Sequence, residues 1–238
     1  ALSENIGFPV ILKAVEGGGG RGLRVVKTID ELKQAFVSAK KESLLGFGSD
    51  RIYIEKYIEN PRHIEVQILS DKSTILHLGE RECSIQRRHQ KLIEETPSPA
   101  LSDDKRNQIT EIAKNIIKEL EYDNAGTVEF LFKNGEFYFM EVNARIQVEH
   151  PITEVVTGID IVEQQIHIAT GDGLLINQND ISFKGHAIEC RIIAEHPLSF
   201  VPYPGIVKKF IPPEGTNIRV DTALYTGYSI PIFYDSLM

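Results

Sequence analysis

Residues 141–151 read EVNARIQVEHP, and polar and apolar side chains alternate from Glu141 to Glu149. If this segment is extended, Glu141, Asn143, Arg145, Gln147 and Glu149 share one face. That face is either a sheet surface wetted by solvent or a working surface. As a working surface it has definite chemistry. Glu141 and Asn143 offer hard oxygen ligands, which suit magnesium beside substrate phosphates. Arg145 offers paired donors to a planar oxyanion, and a carboxylate near it could take up a proton. Two further stretches carry charge or glycine. In KAVEGGGGRGLRV, Lys13 precedes four consecutive glycines. Backbone N–H groups of such a loop can converge on phosphate oxygens, and an idle hairpin tip would not need glycines that cost roughly 0.5–1 kcal/mol each against alanine. No Gly-Lys-Ser/Thr follows, and a strand comes next, so the loop is neither a Walker A nor a dinucleotide fingerprint. In CSIQRRHQK, Arg87, Arg88, His89 and Lys91 cluster, either as a local anion site or as a solvated charge run.

Strands must hold most of these groups. Residues 9–14 and 23–26 read as strands flanking the glycine loop. Thr28 and Glu31 form a possible capping box for a helix through Leu32, Phe36 and Ala39, followed by a loop at 46–50. Residues 51–58, 63–69 and 74–78 are strand-like, and 92–102 reads as a connector with two prolines. Ser102 caps an amphipathic helix with the stripe Ile109, Ile112, Ala113, Ile116, Ile117 and Leu120. Residues 126–132 and 137–148 are strands around Lys133-Asn134-Gly135. A helix starting at Pro151, a second over 160–170, and strands over 187–194 and 205–210 complete the chain. Strands linked by hairpins outnumber helices, so the fold class is α+β with antiparallel sheet.

The hairpin sets a parity condition. A two-residue Asn134-Gly135 turn pairs Glu129 with Met140 and puts it on the wrong face. A three-residue loop with Gly135 left-handed pairs Glu129 with Phe139, diagonal to Glu141. Val128, Phe130, Phe132, Tyr138, Met140 and Val142 then form an apolar face. The metal reading therefore expects the three-residue loop. No His or Cys lies in this hairpin, so zinc is not expected.

Bulk properties narrow the classes. The chain has 238 residues, is 42% hydrophobic and 25% charged, and carries a net charge of −8. An acidic surface makes nucleic acid an unexpected partner. Cys83 and Cys190 form neither a disulfide framework nor a zinc pattern, which fits a reducing compartment. No apolar run reaches the ~18 residues of a membrane span, and no signal-peptide pattern is visible. Both ends look like cuts from a longer chain.

In these motifs the sequence resembles the biotin carboxylase component of biotin-dependent carboxylases of the acetyl-CoA, propionyl-CoA or pyruvate carboxylase type. FPVILKAVEGGGGRGLRVV, IEKYIENPRHIEVQ, RECSIQRRHQK, GTVEFLF, NGEFYFMEVNARIQVEHPITE, GHAIECRI and YDSLM match in order and spacing. The glycine loop fits any ATP-grasp protein, while RRHQK with NARIQVEHP is far more selective. The resemblance implies an ATP-grasp domain over 1–180, with a flap-bearing subdomain at about 1–58 and a catalytic subdomain at about 59–180. Residues 181–238 would begin the C-terminal biotin carboxylase domain, and the family's N-terminal lobe would be absent. It implies a ligase that uses MgATP (or manganese) and bicarbonate to make carboxyphosphate and then carboxylates biotin on its carrier protein. Lys13 would hold the ATP phosphates, with Gly19 and Gly20 in the closing flap. Glu55, Lys56, Tyr57 and Ile58 would form the adenine hinge, and His63, Gln86 and His89 would line the nucleotide. Glu129, Glu141 and Asn143 would bind the metal. Lys91, Arg145, Gln147 and Val148 would hold bicarbonate, with Glu149 as the base. Lys91 and Arg145 would also be catalytic, and Arg191 would bind biotin and stabilise its enolate. Implied partners are the biotin carboxyl carrier protein, a carboxyltransferase and further copies of the full-length chain. The implied setting is fatty acid biosynthesis in the cytoplasm, or a mitochondrion or plastid. Val15 stands where the family has a small residue, which bears on flap closure. The alternatives are a carbamoyl-phosphate synthetase-type ligase and a nucleotide-binding fragment without turnover.

Overall fold

The computed structural model describes residues 5–17, 22–231 and 237. The chain divides into two units, Ala1–Glu189 and Cys190–Met238. In the first, β1 (Val10–Ala14), β2 (Leu23–Val26) and β3 (Ile52–Lys56) form an antiparallel sheet in the order β2-β1-β3. Val10 and Leu12 alternate along β1 and pack with Val26 and with Ala39 of helix α1 (Ile29–Phe47). Lys13 falls on the other face. The expected capping box is replaced by a bond one residue earlier. Thr28 makes no side-chain capping bond, while Glu31 accepts from the Lys27 N–H at 3.0 Å. The helix continues through Gly46 and stops at Gly48, whose left-handed backbone lets its N–H reach the Leu44 carbonyl, so the loop starts later than expected.

The larger sheet has the order β8-β7-β4-β5-β6-β9. Its strands are β4 (Arg62–Ser70), β5 (Ile75–Arg87), β6 (Gln90–Thr96), β7 (Asn124–Lys133), β8 (Glu136–Asn143) and β9 (Ala187–Cys190). Ile64, Val66 and Ile68 of β4 and Val128 and Phe130 of β7 pack against Ile109, Ala113 and Ile117 of helix α2 (Asp103–Glu119). Period two then sends Glu65, Gln67, Thr127 and Glu129 to the opposite face, where they are also buried. Helices α3 (His150–Thr157) and α4 (Ile161–Thr170) follow β8. Ile161 of α4 packs on Leu69, Leu78 and Ala125.

Strand β5 corrects the sequence reading, which stopped at Leu78 and made 92–102 a connector. The strand runs on to Arg87, and β6 occupies Gln90–Thr96. Gly79 allows this, because it sits at φ +79° where the β4–β5 register shifts between Val66 and Ile68. A Cβ there would stand 2.7 Å from the Phe183 ring. The strand expected over 187–194 shrinks to β9, and in the second unit the one expected over 205–210 shrinks to the short pair β10 (Gly205–Ile206) and β11 (Ser229–Ile230). Ile206, Ile211 and Tyr225 are exposed there, so strand propensity has no covering layer to reward it. Among the described residues no helix is long and apolar enough to cross a membrane.

The apolar stripe of α2 divides on burial. Ile117 is 0% exposed and Leu120, past the helix end, is 57% exposed. Ile117→Ala is expected to destabilise by about 2–5 kcal/mol and Leu120→Ala by less than about 0.5 kcal/mol in urea unfolding. Equal losses would contradict this packing.

Candidate active site

The buried polar face of the large sheet carries one row of acids. Glu141 of β8 is registered opposite Glu129 of β7, Glu129 opposite Glu65 of β4, and Glu65 opposite Arg81 of β5. Opposite residues on antiparallel strands share a face with Cβ atoms about 4.5–5.5 Å apart. Arg81 Nε donates to Glu65 Oε1 at 2.6 Å. Lys91 of β6 reaches over the row and donates to Glu65 Oε2 at 2.5 Å, Glu129 Oε1 at 2.9 Å and Glu149 Oε1 at 2.6 Å. Glu129 Oε1 also accepts from Asn143 Nδ2 at 2.9 Å and Gln147 Nε2 at 2.7 Å. His63 Nε2 lies 2.8 Å from Glu129 Oε2, off the line of a hydrogen bond, and Gln86 Nε2 lies 3.1 Å from His63 Nδ1.

Glu65 is 0%, Glu129 5% and Glu149 2% exposed. Burial pushes the Glu65 carboxyl up, but Arg81 and Lys91 outweigh it and hold the group down at about 2. Glu129, also pushed up by burial, is brought to about 2 by His63 and Lys91. Lys91 would be pushed down by burial, yet Glu65 and the neighbouring carboxylates hold it well above its usual range. Burial and then Glu65 push the Cys83 thiol well up, so it behaves as a small buried hydrophobe. Two cations facing three buried carboxylates leave one negative charge, and the exposed Glu141 adds another. Glu129 and Glu141 present oxygen ligands at that excess charge, which fits a magnesium-type ion, and Asn143, whose Nδ2 now faces Glu129, would add its oxygen on turning its amide. The oxygens and ring nitrogen of His63, Glu65 and Glu129 also lie within 4.8 Å of one another, but Lys91 already serves Glu65 and Glu129 there.

On the three-stranded sheet, Lys13 Nζ pairs with Glu55 Oε2 at 2.5 Å and lies 6.0 Å from the Tyr53 ring centre. Burial, Glu55 and Glu141 raise the Tyr53 phenol against an opposing effect of Lys13, so these charges belong to one neighbourhood. Lys56 Nζ is tied to the Gly7 and Phe8 carbonyls at 3.0 and 3.1 Å. Lys56, Tyr57 and Ile58 line a cavity of about 360 Å³ with Pro9, Lys133 and Tyr138. Arg88 and His89 form the turn between β5 and β6 with φ of +51° and +66°, strained for residues with a Cβ. Gly19 and Gly20 lie outside the described residues, and Arg191 belongs to the second unit.

Three expectations about the hairpin are corrected. The turn is the two-residue one, Asn134 at φ +51° and Gly135 at φ +82°, with Lys133 paired to Glu136. Glu129 nevertheless meets Glu141, because the register shifts between Glu129 and Phe130 and leaves Met140 as an extra residue in β8. A bulge thus does the work assigned to an odd loop. Phe137, not Tyr138, therefore packs on the core face, and Tyr138 pairs with Leu131. The strand expected through Val148 ends at Asn143. Beyond it Gln147 and Glu149 turn inward while Val148 is 45% exposed, and exposed Arg145 donates to Asn143 Oδ1 at 3.4 Å. The polar residues of 141–149 are thus not one strand face. Glu65, Gln67, Arg81, Thr127 and Thr153 are site residues that the sequence reading missed. Charged residues inside the strands HIEVQ and LGEREC were the available signal.

Glu65 and Glu129 both have depressed carboxyls, so their contribution is complete above about pH 4.5 and is lost as pH falls towards about 2. Lys91→Met strands the carboxylates and is expected to cost about 3–5 kcal/mol near neutrality. Freed carboxyls protonate more readily, so that deficit should shrink between about pH 7 and pH 5 in thermal melts against the parent. A deficit independent of pH would contradict the charge balance described.

The model described as "Carbamoyl-phosphate synthase L chain, ATP binding domain" matches residues 1–177, and "Biotin carboxylase C-terminal domain" matches 189–238. Biotin carboxylase of Allochromatium vinosum is 50% identical over 238 residues, covering 100% of this chain and 53% of that protein. A biotin carboxylase–beta-gamma-ATP complex from Campylobacter jejuni superposes with a TM-score of 0.95 at 50% identity, over 99% of this chain and 53% of that one. The biotin carboxylase domain dimer of Hydrogenobacter thermophilus 2-oxoglutarate carboxylase, with MgADP, ADP and bicarbonate, gives 0.94 at 48% identity, over 100% and 53%. The chain thus spans about half the length of the relatives it matches, and its α+β architecture is their ATP-grasp fold. It belongs to the family of the carbamoyl-phosphate synthase L chain, ATP binding domain, and within that family to the biotin carboxylases.

Proposed function

We propose that the protein carrying this chain carboxylates biotin on a carrier protein, using ATP and bicarbonate. Bicarbonate loses its proton to Glu149 and attacks the γ-phosphorus, and ADP leaves; the carboxyphosphate formed then gives its carboxyl group to N1′ of biotin, while inorganic phosphate departs and takes up the N1′ proton. The observation that carries this reading is the buried Glu149, held by Lys91 and bracketed by Gln147 and the row Glu65–Glu129–Glu141. Gln147 Nε2, the Val148 backbone and Arg145 hold the bicarbonate oxygens, and Lys91 orients Glu149 and meets the developing charge. Glu129, Glu141 and Asn143 hold magnesium or manganese, which when bound neutralises phosphate charge.

Lys13, with Gly19 and Gly20, holds the phosphates once Glu55 releases it. Residues 55–58 take the adenine, and His63, Gln86 and His89 line the nucleotide. Arg191 stabilises the biotin enolate. In this reading 1–180 is the ATP-grasp domain, with its flap-bearing subdomain at about 1–58, and 181–238 begins the C-terminal domain. The biotin carboxyl carrier protein, a carboxyltransferase and further copies of the chain are its partners. The setting is fatty acid biosynthesis in the cytoplasm, or a mitochondrion or plastid. The bicarbonate and MgADP held by the Hydrogenobacter thermophilus domain support the substrate set.

A carbamoyl-phosphate synthetase-type ligase is the second reading, favoured by the description of the model matching 1–177. In the complete polypeptide, ATP cleavage is expected to require bicarbonate and to rise with free biotin. Stimulation by ammonia instead of biotin would favour the second reading, and cleavage indifferent to bicarbonate would overturn both.

A further inference from the structure

We infer that Arg81 is a positioning residue that sets the orientation of Gln147 and the place of Glu149 for bicarbonate. The inference rests on the carboxylase reading and concerns a residue that touches none of its substrates.

Arg81 is fully buried on β5, and its guanidinium only donates. Besides Glu65, Nη1 reaches Gln67 Oε1 at 2.7 Å and Thr153 Oγ1 at 3.0 Å. Nη2 reaches Thr127 Oγ1 at 3.2 Å and Gln147 Oε1 at 3.2 Å. Every N–H of the fork thus has an acceptor, so the group has one orientation. Gln67 is set correspondingly, since its Nε2 is spent on the Ile68 and Gly126 carbonyls at 3.3 and 3.1 Å.

Two consequences follow. A pure donor on Gln147 Oε1 forces Gln147 Nε2 away from Arg81, towards Glu129 and the bicarbonate position. When a cation draws Glu129 away, Arg81 still fixes that amide. Second, Arg81 grips the chain at Gln147 and again at Thr153 in α3, and Glu149 lies between the two grips. The base is located from both sides without being touched. A buried arginine that only supported the fold would, when replaced, weaken all substrates alike. Arg81 is tied to the bicarbonate side, so its loss should separate them.

The test uses the complete biotin carboxylase polypeptide with ATP and bicarbonate varied in turn. Parent ATP cleavage that needs bicarbonate establishes the carboxylase reading first, and its absence sinks that reading and this inference with it. With that in hand, Arg81→Lys is expected to raise the bicarbonate KM about tenfold or more, and the ATP KM less than about threefold. In a Gln147→Met background the same substitution should change the bicarbonate KM by less than about threefold, because the two act through one amide. If Arg81→Lys does not fold, Thr153→Val loosens one grip and should raise the bicarbonate KM about two- to fivefold with the ATP KM unchanged. Parallel shifts in both KM values, no shift, or full additivity with Gln147→Met would overturn the inference.

Discussion

A carboxylate taken out of water is unstable unless a cation or a set of donors stands against it. Here Glu65, Glu129 and Glu149 are taken out of water together, and Lys91 donates to all of them. Everything around the site serves that condition. Strand β5 has to run past its glycine bulge to deliver Arg81, and the β5–β6 turn has to be tight enough to return Lys91 over the row. The core on the α2 face fixes the strands that hold the acids, so the apolar packing and the charge cluster depend on one register.

The two cations differ in kind. Arg81 is locked by a planar fork whose donors are all used, whereas Lys91 is a point charge on a flexible stem. One is suited to holding a framework, the other to following charge as it moves between carboxylates and a substrate. The residual negative charge of the cluster faces Glu141 and the neighbourhood of Tyr53, Glu55 and Lys13. A divalent ion with bound phosphates is the kind of ligand that this excess and Lys13 together would suit. The spacing that organises the site runs across the strands, at about 4.7–4.9 Å per step, rather than along β8.

Much of this was legible in the sequence. The strands flanking the glycine loop and the Ser102-capped helix follow from period and capping, and the acids Glu129, Glu141 and Glu149 stand out by their charge alone. The hairpin shows why parity arguments fail: Asn134-Gly135 predicts its own turn correctly, but a bulge at Met140 is invisible in a pattern that counts by twos. The inward turn of Gln147 and Glu149 was hidden for a related reason. Their burial is decided by Arg81 and Lys91, which are distant in sequence. Arg81 itself was missed because nothing in GERE shows its partners, which β4 and β7 supply from distant parts of the chain.

The central claim is that Glu149 accepts the bicarbonate proton from a position that Lys91 maintains. Glu149→Gln keeps an oxygen for the Lys91 ammonium and removes the ability to take up a proton. In the complete polypeptide, bicarbonate-dependent ATP cleavage is expected to fall by about 10²–10⁴, the range for a lost general base. Nucleotide affinity and melting temperature should stay near those of the parent. Cleavage within about threefold of the parent would contradict the account at its centre.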